Sequence, residues 1–304
     1  MGWTVSDLPS LSGRTAVVTG PGGLGYETAL ALARAGADVV LAGRSPAKGE
    51  EALAQIRACV PQPRIVFEQV DLASLASIKA FAERLLRSRN QLDLLVNNAG
   101  VMAPPKRQIT ADGFELQFGT NYLGHFALTA RLLPLLRRGN QPRVVNLSSL
   151  AHRSGRIDFD DLQTERPYKP FRAYCLSKLS QLIFALELQR RSERKGWGLM
   201  SNAAHPGMSS TNLVANGQGA NSMLAWMENL MKPLFWQSAA AGALPTLYAA
   251  AAPGAAGGVL YGPDGFMETK GAPKHAWIVP MARRPEIAAR LWEISEQLTG
   301  VQMS

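Results

Sequence analysis

Tyr174 and Lys178 lie four positions apart in the stretch AYCLSKLSQL, whose other residues have the apolar density of a buried helix. Side chains at i and i+4 of an α-helix sit on one face, so this phenol and this ammonium can reach one pocket. The pairing has a chemical use. A tyrosine side chain titrates at about 10 in water, too high for efficient proton exchange near neutrality, and an adjacent ammonium stabilises the phenolate and lowers that value. One unit of lowering corresponds to about 1.4 kcal/mol of differential stabilisation. Alone, the pair is a weak signal, because tyrosine and lysine at this spacing recur in helices that do no chemistry.

A second candidate, AVVTGPGGLGYETALALA, sets a strand, a Gly-rich turn and a helix in the order that a dinucleotide site needs. Gly20, Gly23 and Gly25, with Leu24 inside the turn, permit a tight bend, close approach of a pyrophosphate and close packing of helix on sheet. The helix N-terminus offers its free amides to the anion. Roughly twenty residues farther on, the next strand ends in VVLAGRSPAKGEE, where a site built for NAD usually carries an acid for the ribose hydroxyls. This chain has Gly43 and then Arg44. A carboxylate there would repel the 2′-phosphate of NADP, whereas a guanidinium pairs with it bidentately. The expected cofactor is therefore NADP (NADPH), with NAD less favoured.

The elements that must position these residues are legible as a rhythm. Apolar runs RTAVVTG, ADVVLAG, RIVFEQVDL, LDLLVNNAG, PRVVNLSS and GLMSNAAHPG alternate with amphipathic stretches ETALALARAG, PAKGEEALAQIRA, SIKAFAERLLRS and FALTARLLPLLRRG. Successive βα units predict an α/β fold, a Rossmann-type doubly wound parallel sheet with helices on both faces and ligands beyond the carboxyl ends of the strands. The 304 residues suit one domain spanning the chain. After Gly207 the rhythm breaks into a Met- and aromatic-rich segment, about residues 208–236, expected to form a substrate lid because it follows the sixth strand. Its stripe of Met223, Trp226, Met227, Leu230 and Met231 would pack on the core or line an apolar, adaptable pocket.

Composition removes several classes. An apolar fraction of 46% with 18% charged residues is that of a globular protein, not a disordered or fibrous one. The net charge of +9 comes from basic residues scattered at expected helix ends, without interleaved aromatics, so no nucleic-acid partner is expected. Two cysteines, Cys59 and Cys175, make neither a disulfide framework nor a metal cluster. The N-terminal MGWTVSDLPSLSGRTAVV lacks the progression of a secretory signal, and a cytoplasmic location is expected. The uncharged run from Pro233 to Pro263 exceeds a membrane span in length, but Pro245 and Pro253 interrupt it and Ala and Gly dominate it. It predicts a buried helix followed by a strand, with no transmembrane segment and at most a weak peripheral membrane contact.

The ordered series TGPGGLG, VDLAS, NNAGVM, TNYLGHF, VVNLSSLAH, AYCLSK and HPG resembles the short-chain dehydrogenase/reductase family, in its retinol-dehydrogenase-like branch, from about Leu11 into the C-terminal region. The resemblance implies that Asp71 and Leu72 flank the adenine ring, and that Asn97, Asn98, Ala99 and Gly100 stabilise the central sheet beside the cofactor. It implies a catalytic set of Asn121, Ser149, Tyr174 and Lys178, with Ser148 the competitor for the serine role. Pro206 and Gly207 would form the turn near the nicotinamide, and Thr211 would contact its carboxamide. His125 and His205 are expected to be structural.

The implied mechanism moves hydride between the nicotinamide and a carbonyl carbon while Tyr174 exchanges a proton with the oxygen. Ser149 would hydrogen-bond that oxygen, Lys178 would also hold the ribose, and Asn121 would position Lys178 through its backbone and water. The substrate class implied is a hydrophobic small-molecule carbonyl or alcohol, and the assembly a monomer or homodimer. Two other readings stand beside it: a catalytically silent NADP-binding sensor, and a reductase of an activated carbon–carbon double bond. The sequence also departs from the family's TGxxxGxG, since TGPGGLG has one residue fewer between its first two quoted glycines, and one of those present is Pro21. Cofactor affinity is where the shorter turn would act.

Overall fold

The computed structural model describes residues 2–209 and 236–303. Its centre is an eight-stranded sheet in the order β3-β2-β1-β4-β5-β6-β7-β8. The strands are β1 (Thr15–Thr19), β2 (Asp38–Gly43), β3 (Ile65–Gln69), β4 (Leu94–Asn97), β5 (Arg143–Leu147), β6 (Met200–Ala204), β7 (Leu260–Pro263) and β8 (Pro273–His275). All neighbours pair in parallel except β7 and β8, which pair antiparallel.

The central strands are apolar on both faces, as a sheet covered on both sides requires. Val17, Val40, Leu95 and Val144 enter one core with α3 (Leu75–Ser88), α4 (Gly124–Leu136), α5 (Pro170–Lys195) and α7 (Pro285–Thr299). The alternating residues Ala16, Val18, Val39, Leu41, Leu94 and Val96 enter the opposite core with α1 (Leu24–Arg34), α2 (Pro46–Cys59) and α6 (Ala239–Ala251). The uncharged run thus supplies a helix, α6, and a strand, β7, as its composition predicted.

Helix ends follow their local chemistry. Ser45 and Ser74 cap α2 and α3 by accepting the Lys48 and Ser77 amides, and Gly196, at a φ of 64°, ends α5 in the left-handed conformation. Helix α5 is buried continuously from Ala173 to Leu188, which explains its apolar density. Helix α7, strand β8 and one helical turn have no counterpart in the alternating pattern. Trp292 of α7 packs edge-on to Phe126 at 5.1 Å and tilted on Phe184 at 5.7 Å, and Arg191 stacks on it at 4.2 Å. A π-helical turn over Phe118–Leu123 runs directly into α4. No helix among the described residues is long and apolar enough to cross a membrane.

Candidate active site

The carboxyl ends of β1 and β4 are stitched together by Thr19. Its hydroxyl accepts the Asn98 amide at 2.9 Å and the Ala99 amide at 3.0 Å, while its carbonyl accepts the Asn98 side-chain amide at 2.7 Å. Asn97 points the other way and donates to Thr129 Oγ1 at 3.0 Å and Asn146 Oδ1 at 2.9 Å. Asn97 to Gly100 therefore lock the sheet where the Gly-rich turn leaves β1. Gly25 must be glycine: a Cβ there would come within 1.9 Å of the Gly20 carbonyl oxygen. Gly23 opens α1 at a φ of 54° with no side-chain cap, and a Cβ on neighbouring Gly22 would meet nothing within 4 Å. Uncapped first-turn amides beside open space are the donors that a dinucleotide pyrophosphate uses, so the residues fit such a cofactor. Leu24 packs beneath this turn against α6, where a Cβ on Gly242 would lie 3.0 Å from it.

The shortened turn leans on the second strand. A Cβ at Gly43 would stand 2.7 Å from Pro21 Cδ, so glycine before Arg44 is a requirement of the tight turn. Arg44 itself is exposed, and its guanidinium makes no ion pair among the described residues. Asp71 follows β3 half-buried and accepts the Ala73 amide at 2.9 Å, while Leu72 is buried against α4, where Gly124 allows close approach to its carbonyl.

Ser149, Tyr174, Lys178 and Asn121 come together from β5, α5 and the π-helical turn. Ser149 is half-buried, its Oγ accepts the Ala151 amide at 3.2 Å, and its side chain lies near enough to the Tyr174 phenol to favour the phenolate. Ser148 is committed elsewhere: its hydroxyl donates to the Lys178 carbonyl at 2.9 Å. Asn121 accepts the Val101 amide at 2.8 Å and donates to the Val101 carbonyl at 2.9 Å and Ser177 Oγ at 3.0 Å. A Cβ on Gly100 would sit 3.0 Å from Asn121 Oδ1 and 3.7 Å from Lys178 Nζ, which places the glycine, the asparagine and the lysine around one point.

One electrostatic expectation is corrected. Lys178 Nζ lies 5.8 Å from the Tyr174 ring centroid and donates to the Leu147 carbonyl and to Gln181 Oε1, both at 2.8 Å. Burial pushes Lys178 down to about 7 and Tyr174 up to about 12, the nearby Ser149 side chain only partly opposing the latter. Desolvation disfavours both ions, and it outweighs the stabilisation of phenolate that helical spacing suggested. The Asn121 carbonyl accepts His125 Nδ1 at 2.8 Å.

Pro206 and Gly207 follow β6. The Pro206 carbonyl accepts Ser209 Oγ at 2.8 Å and Gln237 Nε2 at 2.7 Å, and Gly207 has a φ of 62° with a Cβ excluded by the Thr269 carbonyl. His205 Nδ1 accepts the Gly207 amide at 3.2 Å, so its Nε2 is the donor to Glu268 Oε2 at 3.0 Å. Thr211, the stripe from Met223 to Met231 and most of the segment 208–236 lie outside the described residues.

The sequence profile described as short chain dehydrogenase matches residues 14–221, which contain the Gly-rich turn, Asn121, Ser149, Tyr174 and Lys178. The chain belongs to the short-chain dehydrogenase family. Retinol dehydrogenase 13 of Mus musculus is 41% identical over 302 residues, covering 97% of this chain and 86% of the relative. Polyprenol dehydrogenase of Mus musculus is 41% identical over 299 residues, covering 96% and 86%. Among solved structures, an uncharacterized protein from Mycobacterium Paratuberculosis superimposes with a TM-score of 0.83 at 40% identity over 100% of both chains. The Pseudomonas aeruginosa RhlG/NADP active-site complex superimposes with a TM-score of 0.67 at 26% identity, covering 83% of this chain and 94% of that one.

As a short-chain dehydrogenase the protein is an oxidoreductase that uses a nicotinamide cofactor. Several residues that hold its candidate site were not identified from the sequence. Gln181 is the side-chain acceptor for Lys178, Ser177 anchors Asn121, and Thr19 joins the two strand ends. Gln181 had a local signal, since it lies three positions after Lys178 on the same helix. His152 had none. It is fully buried, and its Nδ1 donates to the Ser149 carbonyl at 2.7 Å.

Proposed function

We propose that the protein is an NADP(H)-dependent oxidoreductase acting on a hydrophobic carbonyl or alcohol, with Tyr174 as general acid/base. The observation that carries this reading is the convergence of Ser149, Tyr174, Lys178 and Asn121 at the carboxyl end of the sheet, with the lysine buried. Arg44, exposed at the end of β2 and without an ion pair among the described residues, supports NADP over NAD, because a guanidinium there can take a 2′-phosphate. Solved neighbours at 25% and 26% identity are described with NADP, which agrees with that choice. The names of the relatives, retinol dehydrogenase and polyprenol dehydrogenase, support an apolar alcohol or its carbonyl partner as the substrate class.

When bound, the nicotinamide supplies or accepts the hydride. The chain does the rest. Gly20, Gly23, Leu24 and Gly25 would hold the pyrophosphate, Arg44 the 2′-phosphate, and Asp71, Leu72, Asn98, Ala99 and Gly100 the adenosine and ribose side. Pro206, Gly207 and Thr211 would line the nicotinamide end. In reduction, Tyr174 donates its phenolic proton to the carbonyl oxygen, and in oxidation it takes that proton back. Ser149 would turn its one hydroxyl proton to the same oxygen when substrate is bound, its own oxygen accepting from Ala151. Lys178, pushed to about 7 by burial, exchanges a proton near neutrality and can resupply the site, with Asn121 fixing the floor beside it.

The test is an absorbance assay of NADPH and NADH oxidation across apolar aldehydes and ketones, with product analysis. Turnover to alcohols with NADPH preferred is the expected result. Cofactor binding without turnover across the panel would favour the sensor, and saturation of a carbon–carbon bond would favour the double-bond reductase.

A further inference from the structure

Phe171, Tyr174 and Lys178 form one stripe of α5, at i, i+3 and i+7, so their side chains stack along a single helical face. Exposure rises steeply along it. Lys178 is 4% exposed, Tyr174 6% and Phe171 54%. The site is therefore closed at the lysine and opens toward Phe171, whose ring lies 6.3 Å from that of Tyr174 at 33°.

On the serine side a second exposed aromatic stands beside His152. Trp277 is 50% exposed, yet it is tightly fixed: its backbone N–H donates to Glu268 Oε1 at 2.9 Å, and the Arg153 guanidinium sits 5.7 Å from its ring. Glu268 is in turn held by Arg153 and His205. The Trp277 ring lies 6.3 Å from that of His152, the residue bonded to the Ser149 carbonyl. Tyr174 thus has a half-exposed aromatic beside it, and Ser149 has one that reaches it through His152.

Large half-exposed rings gain from an apolar partner that covers them, particularly where they are fixed before binding. We propose that Phe171 and Trp277 are specificity-determining residues that grip the apolar part of the substrate outside the Ser149–Tyr174 pair. This assignment rests on the carbonyl/alcohol reading above. It predicts selectivity for substrates whose apolar chain is long enough to leave the closed end and lie between the two rings.

The experiment compares kcat/KM for butanal, hexanal, octanal and decanal with NADPH in the wild type, Phe171→Ala and Trp277→Ala, with NADPH binding confirming that each variant is folded. The loss should grow with chain length and reach about tenfold for decanal in each variant, carried by KM, as expected when several methylenes lose an apolar contact. Phe171→Leu and Trp277→Phe should recover most of the decanal rate. A loss equal at every chain length, or no loss for decanal in both alanine variants, overturns the assignment while leaving the functional reading intact. A wild-type protein that binds NADPH and reduces none of the aldehydes overturns the functional reading and this assignment together.

Discussion

Lys178 Nζ and Gln181 Oε1 are joined by a 2.8 Å hydrogen bond inside the buried length of α5, one turn below Tyr174. This contact, with the Leu147 carbonyl, is what holds the amine in place. Gln181→Leu should remove an acceptor that favours the charged amine, lower its ionisation further below about 7, and destabilise the fold by roughly 1 to 3 kcal/mol. Urea denaturation and the pH profile of kcat/KM read the two effects. The limb that belongs to Lys178 should move to lower pH, and an unmoved limb would separate Lys178 from the proton path.

Tyr174→Phe keeps the ring, the helix and the core packing but removes the phenolic proton. Turnover should fall by about 10²- to 10⁴-fold, the range for loss of a general acid/base, with NADPH affinity nearly unchanged. Steady-state kinetics together with fluorescence titration of NADPH would check this, and near-normal turnover would eliminate Tyr174 as the proton donor.

Arg44→Ala deletes an exposed guanidinium that no carboxylate among the described residues shares. Affinity for NADPH should drop by about tenfold or more, the scale of a charge-assisted hydrogen bond, while affinity for NADH stays level. Calorimetric titration with both cofactors in both proteins measures the switch. Equal losses for the two would show that Arg44 supports the loop rather than the phosphate.

Stability should fail on the acid side through histidines. Burial pushes His125 and His152 down to about 4, and His205 shifts in the same direction for the same reason. Their folded-state values lie below the ordinary ~6.5, so the unfolded chain takes up protons first. The stabilisation is complete above pH ~6.5 and is lost as pH falls toward about 4. Two such protons give a slope of roughly 2 to 3 kcal/mol per pH unit across that window. Denaturant midpoints measured between pH 7 and pH 5 should show it, and His152→Asn should flatten it by about half while keeping a donor toward the Ser149 carbonyl.

The βα rhythm, the Gly-rich turn, the Tyr174–Lys178 spacing and the placement of Arg44 were legible in the chain because each depends on neighbours within one strand or one helical turn. Short continuous apolar runs become strands buried between layers, and Gly20, Gly23 and Gly25 open a tight turn whatever the rest of the molecule does. Helix α7 and strand β8 were not legible, because their placement is set by Trp292 meeting Phe126 and Phe184 and by Pro273–His275 meeting β7, partners far away in sequence. The π-helical turn that carries Asn121 has the same origin, since Gly119 and Gly124 answer to close contacts with Thr110 and Leu72. The proton affinities were decided by tertiary structure as well. Helical spacing puts an amine and a phenol on one face, but only the packing of β5, α4 and α5 around them sets how much water they lose, and that loss governs both.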